Sequence, residues 1–152
     1  MRTAVIGVGN EYRRDDGIGP IVIARLARHD LPGVTFTRCD GEPSQLIDAW
    51  TGSDLAVVID AVLCERPEPG RVHRTGLDTL PGSARWASTH GLGIPEAIQL
   101  ADALDQAPRR LVVYAVEAAD LGFGVGLSPA VAAAAQHVER AVLMDVELAA
   151  QP

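Results

Sequence analysis

Apolar residues along this chain fall into short continuous runs separated by longer segments of helical spacing. A short apolar run is typical of a buried strand, whereas apolar positions three and four residues apart mark one face of a helix. The predicted strands are residues 2–7, 34–39, 55–59, 71–75 and 111–116, and the predicted helices are residues 18–29, 44–51, 94–104 and 129–149. Strands that alternate with helices predict an α/β fold, a three-layer α/β/α sandwich on a mostly parallel five-stranded sheet.

Local signals set several boundaries of these elements. Pro20 stands in the first turn of the first helix, where its missing N–H is tolerated, and Ser128 precedes Pro129 at the start of the last helix. Ser44 is the predicted N-cap of the second helix. The charged residues within 71–75 would place both faces of that strand in water, so the strand is predicted at an edge of the sheet.

Composition indicates a single acidic domain. The 152 residues are 47% apolar, enough for one hydrophobic core, and no repeat, linker or low-complexity tract divides residues 1–152. A formal charge of −7 argues against nucleic acid binding, which requires clustered basic residues. Neither a membrane span nor a secretory signal is visible, so a cytoplasmic protein is expected. Cys39 and Cys64 form no CxxC motif and are interpreted as buried, unpaired thiols.

Acidic side chains follow three of the predicted strands. Asp16 lies in the loop after the first strand, Asp40 follows the second and Asp60 follows the third. Ligands of open α/β sheets bind beyond the carboxyl ends of the strands, so these carboxylates are expected at one edge of the sheet. His90 lies in a glycine-flanked loop, which presents an imidazole without crowding. Asp16, Asp60 and His90 together offer an oxygen and nitrogen ligand set suited to zinc or nickel.

The loop after the first strand allows one alternative, a nucleotide-binding module. Gly7 and Gly9 resemble the start of a dinucleotide-binding motif, but the third glycine is out of register and Asp15 and Asp16 would repel a phosphate at the helix start. The two glycines are therefore interpreted as turn residues, with Asn10 bonding to the backbone. Asp15 is interpreted as a residue that favours the helix N-terminus through the helix dipole.

Four motifs, in this order, resemble those of the [NiFe]-hydrogenase maturation endopeptidases. They are Gly7-Val8-Gly9-Asn10 followed by Asp15-Asp16-Gly17-Ile18-Gly19, then Ile59-Asp60-Ala61, His90-Gly91-Leu92-Gly93 and Gly126-Leu127-Ser128-Pro129. The resemblance covers nearly the whole chain. It implies an endopeptidase that removes a C-terminal extension from a hydrogenase large-subunit precursor after nickel insertion. It also implies that Asp16, Asp60 and His90 are the catalytic and metal-contacting residues, acting on nickel that the precursor supplies.

The chain departs from the family pattern in two places. Asp40-Gly41-Glu42 stands where the family often has Asp-Gly-Gly, so Glu42 adds a charge to a candidate cleft lining made of Asp40, Gly41 and Glu42. After Glu117 the chain lacks the proline that often follows the corresponding glutamate of the family. Loop 117–125 is therefore interpreted as a contact with a partner of this particular protein.

Two routes of hydrolysis and one non-proteolytic alternative remain open. A metal could polarise the carbonyl or activate water, or a carboxylate could act as general base. The sequence has no GxSxG or HExxH motif and no cysteine recognisably paired with a histidine, and His29, His73 and His137 are interpreted as surface residues. The non-proteolytic alternative is a nickel-dependent chaperone that holds the precursor with the same three ligands.

Overall fold

The structure of the protein, a computed structural model, describes residues 1–76, 86–88 and 94–152. Its strands are β1 (Thr3–Val8), β2 (Val34–Cys39), β3 (Leu55–Cys64), β4 (Val72–Gly76), β5 (Trp86–Ser88) and β6 (Arg110–Glu117). Its helices are α1 (Ile18–Leu26), α2 (Pro43–Trp50), α3 (Ile94–Ala103) and α4 (Pro129–Ala149), and a 3-10 turn (Arg14–Gly17) precedes α1. None of the helices in the described ranges is long and apolar enough to cross a membrane.

The described strands form one sheet in the order β2-β1-β3-β6-β4, with β5 paired to β3 off this path. Strands β2, β1, β3 and β6 are parallel, whereas β4 runs antiparallel to β6 and β5 runs antiparallel to β3. Helices α1 and α4 pack on one face of the sheet, and α2 and α3 pack on the other. The predicted three-layer sandwich on a mostly parallel sheet is confirmed, and β5 is a short addition that was not predicted.

Alternation along the strands builds one apolar core on each face of the sheet. Val57 and Tyr114 belong to the core with α1 and α4, while their neighbours Val58 and Val113 belong to the core with α2 and α3. All four side chains are buried. Because helices cover both faces, the central strands have continuous apolar sequences instead of alternating ones.

Several predicted boundaries differ from the structure, among them the end of α1, predicted at residue 29 and found at Leu26, and two of the differences have a clear local reason. Helix α2 begins at Pro43 with Glu42 as its N-cap residue, so Ser44 is not the cap. Proline has no backbone N–H and is therefore favoured at the first position of a helix. Pro43 takes that position, so the helix begins one residue before Ser44. Strand β3 continues beyond Asp60 as far as Cys64, because both β6 and β5 pair with its outer half.

Candidate functional site

The order of the strands reverses beside β1, which has β2 on one side and β3 on the other. Such a reversal leaves a crevice beyond the carboxyl ends of the strands, where α/β proteins bind ligands. A cleft of about 280 Å³ lies there, at the ends of β1 and β2. Its walls include Gly9, Asn10, Tyr12, Pro20, Cys39 and Asp40.

The loop after β1 is held in place by its own polar groups. As predicted, Asn10 bonds to the backbone, since its Oδ1 accepts a 2.9 Å hydrogen bond from the N–H of Tyr12. The N–H of Asn10 donates to Asp16 Oδ2, also at 2.9 Å. Gly9 has a φ of +142°, and a Cβ there would lie 1.9 Å from the carbonyl oxygen of Asp16. The buried Asp16 carboxylate is therefore fixed directly beside the cleft wall.

Glycines let the first turn of α1 approach the sheet closely. A Cβ on Gly19 would lie 2.5 Å from the carbonyl oxygen of Val8 and 2.8 Å from that of Ile59. Gly7 lies inside β1, where a Cβ would meet the main chain of Gly19 at 2.5 Å, so the interpretation of Gly7 as a turn residue is wrong. The close approach brings the 3-10 turn that carries Asp16 against the ends of β1 and β3.

Replacing Gly19 by alanine is expected to lower the free energy of unfolding by about 1–3 kcal/mol, because the new methyl meets main-chain atoms that cannot rotate away. The Tm should fall by roughly 3–10 °C. Circular dichroism during heating measures the change. Gly122→Ala is the matched control, since its Cβ would meet only a flexible Asp120 side chain at 3.1 Å. A Gly19→Ala protein as stable as this control would contradict the steric argument.

Strand pairing sets the position of Asp60, of which 1% is exposed. Ile59 pairs with Gly7, so Asp60 is level with Val8, the last residue of β1. Alternation along β3 places the Asp60 side chain on the same face as Val58, the face of α2 and α3. Asp60 does not end its strand as predicted. The neighbouring strand β1 ends level with Asp60, so beyond this residue β3 has no partner on the side of β1.

The charges around the cleft act on the thiol of Cys39. Burial raises the pKa of Cys39, a hydrogen bond with the backbone of Gly41 opposes this, and the carboxylates of Asp40 and Asp60 raise it further. Cys39 is a free thiol, half-buried where full burial was predicted, and it lines the cleft. Asp60 therefore lies close enough to the cleft wall for its charge to act there.

Two of the three predicted metal-contacting residues lie in the described part of the chain. Asp16 and Asp60 are both buried, and both lie at the carboxyl end of β1. Asp16 is tied to the loop after β1 through the N–H of Asn10, and Asp60 lies on β3 level with the last residue of β1. His90 lies outside the described residues.

The three candidate cleft-lining residues differ in their surroundings. Asp40 is exposed and forms part of the cleft wall. Gly41 is buried with a φ of +96°, and Glu42 is exposed at the start of α2. Within residues 1–76 and 94–152, the walls of this cleft include Asp40 but neither Gly41 nor Glu42. The additional charge of Glu42 thus stands beside the cleft.

Asp15, the neighbour of Asp16, joins two loops. Its carboxylate accepts hydrogen bonds of 2.7–2.9 Å from the N–H groups of Ala119, Asp120 and Ser128 and from the Ser128 hydroxyl. The N–H of Asp15 donates to the carbonyl oxygen of Asp120 at 2.9 Å. These bonds connect the first loop to the loop between β6 and α4. They explain the complete burial of Asp15 better than the helix dipole does.

A second group of polar residues lies where β3 and β6 end, beside β4. It consists of Cys64, His73 and Glu117. Each offers one ligand atom, and the three atoms lie within 4.8 Å of one another. His73 Nε2 is 2.7 Å from Glu117 Oε2, and 26% of the His73 side chain is exposed. The interpretation of His73 as a surface residue is therefore wrong, and the closeness of Cys64 to a histidine could not be recognised in the sequence.

The order of these contacts does not suit a cysteine protease. The Cys64 thiol is hydrogen-bonded to Glu117, which also contacts His73, so the carboxylate and not the imidazole lies in the middle. Burial, with the hydrogen bond and charge of Glu117, raises the pKa of Cys64 to about 11. A nucleophilic cysteine needs a lowered pKa. The contacts of Cys64 are thus not those of a nucleophile activated by His73.

Comparisons with known proteins give one consistent result. The model of the hydrogenase maturation protease family, HycI, matches residues 22–145. The hydrogenase expression/formation protein HupD of Thiocapsa roseopersicina is 31% identical over 152 residues, which cover 97% of this chain and 67% of HupD. The hydrogenase 2 maturation protease of Escherichia coli (strain K12) is 26% identical over 136 residues, which cover 88% of this chain and 83% of that protein.

Solved structures share the fold along almost its full length. The hydrogenase maturating endopeptidase HybD of Escherichia coli matches with a TM-score of 0.83 and 23% identity, over 99% of this chain and 94% of that one. The [NiFe] hydrogenase maturation protease HybD of Thermococcus kodakarensis matches with a TM-score of 0.74 and 25% identity, over 96% of this chain and 99% of that one.

Proposed function

This chain belongs to the hydrogenase maturation protease family, and we propose that it cleaves the C-terminal extension from a [NiFe]-hydrogenase large-subunit precursor only after nickel has been inserted. Membership makes it an endopeptidase of hydrogenase maturation. The proposal goes further and concerns recognition. Nickel held by the precursor is the feature that this enzyme detects, so the metal belongs to the substrate and is not a resident cofactor.

We assign the recognition of nickel to Asp16, Asp60 and His90. The observation that carries the assignment is the burial of Asp16 and Asp60 at one end of β1, beside an open cleft. Carboxylates and an imidazole form a ligand set that borderline divalent ions accept.

Three protein ligands leave a divalent ion short of donors, so the precursor would complete the set. The ion, when bound, polarises the scissile carbonyl or activates a water molecule. Asp16 and Asp60 hold their oxygens in fixed positions, since a backbone N–H anchors one carboxylate and a central strand carries the other. Where the ion only positions the substrate, one of these carboxylates takes the proton of the attacking water as general base.

The nickel-loaded precursor is expected to be cut and the metal-free precursor to remain intact, even with enzyme in excess. The isolated enzyme should bind nickel weakly, because its ligand set is incomplete without the precursor's donors. The experiment mixes purified enzyme with each form of the precursor and follows the size of the large subunit by gel electrophoresis.

Each outcome of this experiment has one interpretation. Cleavage of the nickel-loaded form alone supports recognition through the metal. Equal cleavage of both forms would indicate a protease that reads the precursor sequence. Cleavage of neither form, with binding of the nickel-loaded one intact, would favour the chaperone alternative. Precursor loaded with nickel and incubated without enzyme controls for spontaneous cleavage.

A further inference from the structure

The pairing of three strands brings Cys64, His73 and Glu117 together on one face of the sheet. Glu117, the last residue of β6, pairs with Val62, and Cys64 lies two residues further along β3. His73 on β4 pairs with Ala115, two residues before Glu117. Because side chains alternate along strands, positions two apart share a face, so all three functional groups lie on the same side.

The three ligand atoms are a sulfur, a nitrogen and an oxygen, the donors that zinc accepts in proteins. They already lie within 4.8 Å of one another. In a tetrahedral zinc site, ligand atoms are roughly 3.3–3.8 Å apart, as bond lengths of about 2.0–2.3 Å require. The widest pair would therefore approach by about 1 Å, and His73 Nε2 and Glu117 Oε2 would separate by about half as much from 2.7 Å.

We propose that Cys64, His73 and Glu117 form a second metal site, which binds a divalent cation of the zinc class with water as the fourth ligand. The site is independent of the nickel recognition proposed above. It joins β3, β4 and β6 through one residue of each strand. A bound ion would cross-link the edge strand β4 to the centre of the sheet.

Hydrogen bonds hold the Glu117 carboxylate in an orientation suited to a metal ligand. Glu117 is 3% exposed, and its Oε1 accepts a 2.9 Å hydrogen bond from the N–H of Glu68, which leaves Oε2 directed at His73. Burial opposes ionisation of Glu117, but the hydrogen bonds from Glu68, His73 and Cys64 outweigh it and lower the pKa. Such support orients ligands in established metal sites.

An ion can reach this cluster from solvent. Cys64 and His73 are both half-buried, so each presents part of its side chain to water. With a pKa of about 11 the Cys64 thiol is protonated at neutral pH, and binding transfers that proton to the solvent as the metal–sulfur bond forms. The same ion also replaces the direct contact between His73 and Glu117.

Cobalt(II) tests the proposal, because a thiolate bound to cobalt absorbs strongly in the near ultraviolet and carboxylate or imidazole ligands do not. The chain has two cysteines, Cys64 in the cluster and Cys39 in the cleft, which makes matched variants available. The wild-type protein and Cys39→Ser should give this absorption at one equivalent of cobalt. Cys64→Ser should lose it, and His73→Gln should raise the Kd for cobalt at least about 10-fold.

Two further measurements separate this site from the cleft. The absorption should persist in Asp60→Asn, and added zinc should abolish it by competition. In the Asp60→Asn background, zinc should also raise the Tm of Cys39→Ser but not that of Cys64→Ser, and a cooperative unfolding transition of Cys64→Ser without zinc checks that this variant is folded. Absence of the absorption in the wild-type protein, or its loss in Cys39→Ser with retention in Cys64→Ser, would overturn the proposal.

Discussion

Replacing Asp60 by asparagine is expected to reduce cleavage of the nickel-loaded precursor at least about 100-fold, while the protein stays folded. Mutating a residue that only supports a metal ligand lowers metal affinity or activity by about 10–100-fold. Removing the charge of a ligand itself should therefore lower the activity by at least about 100-fold. Asparagine keeps the size of Asp60, which is 1% exposed, and removes a buried negative charge that, like that of Asp40, acts on Cys39. The Tm should remain the same or rise. Gel electrophoresis measures cleavage, and thermal unfolding measures stability.

Asp54→Asn is the matched control, because Asp54 precedes the same strand at the opposite end of the sheet. Its carboxylate accepts a 2.8 Å hydrogen bond from the N–H of Arg2, far from the cleft. This variant should cleave at the wild-type rate and lose a little stability. An Asp60→Asn protein that unfolds, or one that cleaves like Asp54→Asn, would indicate that Asp60 has a structural role only.

Replacing Asp15 by alanine is expected to lower the free energy of unfolding by about 2–4 kcal/mol. The substitution removes the acceptor of three backbone N–H groups and one hydroxyl. An unsatisfied buried donor costs about 1–3 kcal/mol, and the total is at the low end here because Ala119 and Asp120 are exposed to water. The Tm should fall by roughly 5–15 °C, measured by calorimetry.

The neighbouring residue gives the contrast for this prediction. Asp16→Asn should keep a Tm close to that of the wild-type protein but lose cleavage of the nickel-loaded precursor. Asp15→Ala, assayed below its Tm, should retain part of its activity. If Asp15→Ala were as stable as the wild-type protein, the bonds between the two loops would contribute nothing to the fold. If Asp16→Asn were the less stable variant, the roles assigned here would be reversed.

The fold was predictable because helices cover both faces of the sheet. Continuous apolar runs such as Leu55–Ile59 are typical of strands buried in this way. The extent of β3 was not predictable, since a carboxylate at position 60 normally indicates the end of a buried strand. Pairing of Asp60 with Ala115, and of Val62 with both β5 and β6, continues the strand past the charge. These partners are distant in sequence, so local patterns carry no sign of them.

The site was predictable only in part, for a similar reason. The position of Asp16 and Asp60 near the carboxyl end of β1 follows from their places after predicted strands, where the ligands of parallel sheets bind. The role of Asp15 was missed, because its N–H partner in Ala119 lies 104 positions away. The group of Cys64, His73 and Glu117 was missed because it forms across three strands. The sequence offered one signal, a histidine at position 73 within a predicted strand. A strand side chain lies beside those of the neighbouring strands, so His73 could be expected to contact polar residues there.

The bonds of Asp15 have a consequence for the entropy of precursor binding. Loop 119–128 carries Phe123 and Val125, which are 91% and 71% exposed, and Asp15 fastens that loop to the turn that holds Asp16. Loops that become ordered only on association weaken binding by the freedom they lose. Here that freedom is lost already during folding. Any partner that contacted Phe123 would meet a surface whose position relative to Asp16 is set before contact.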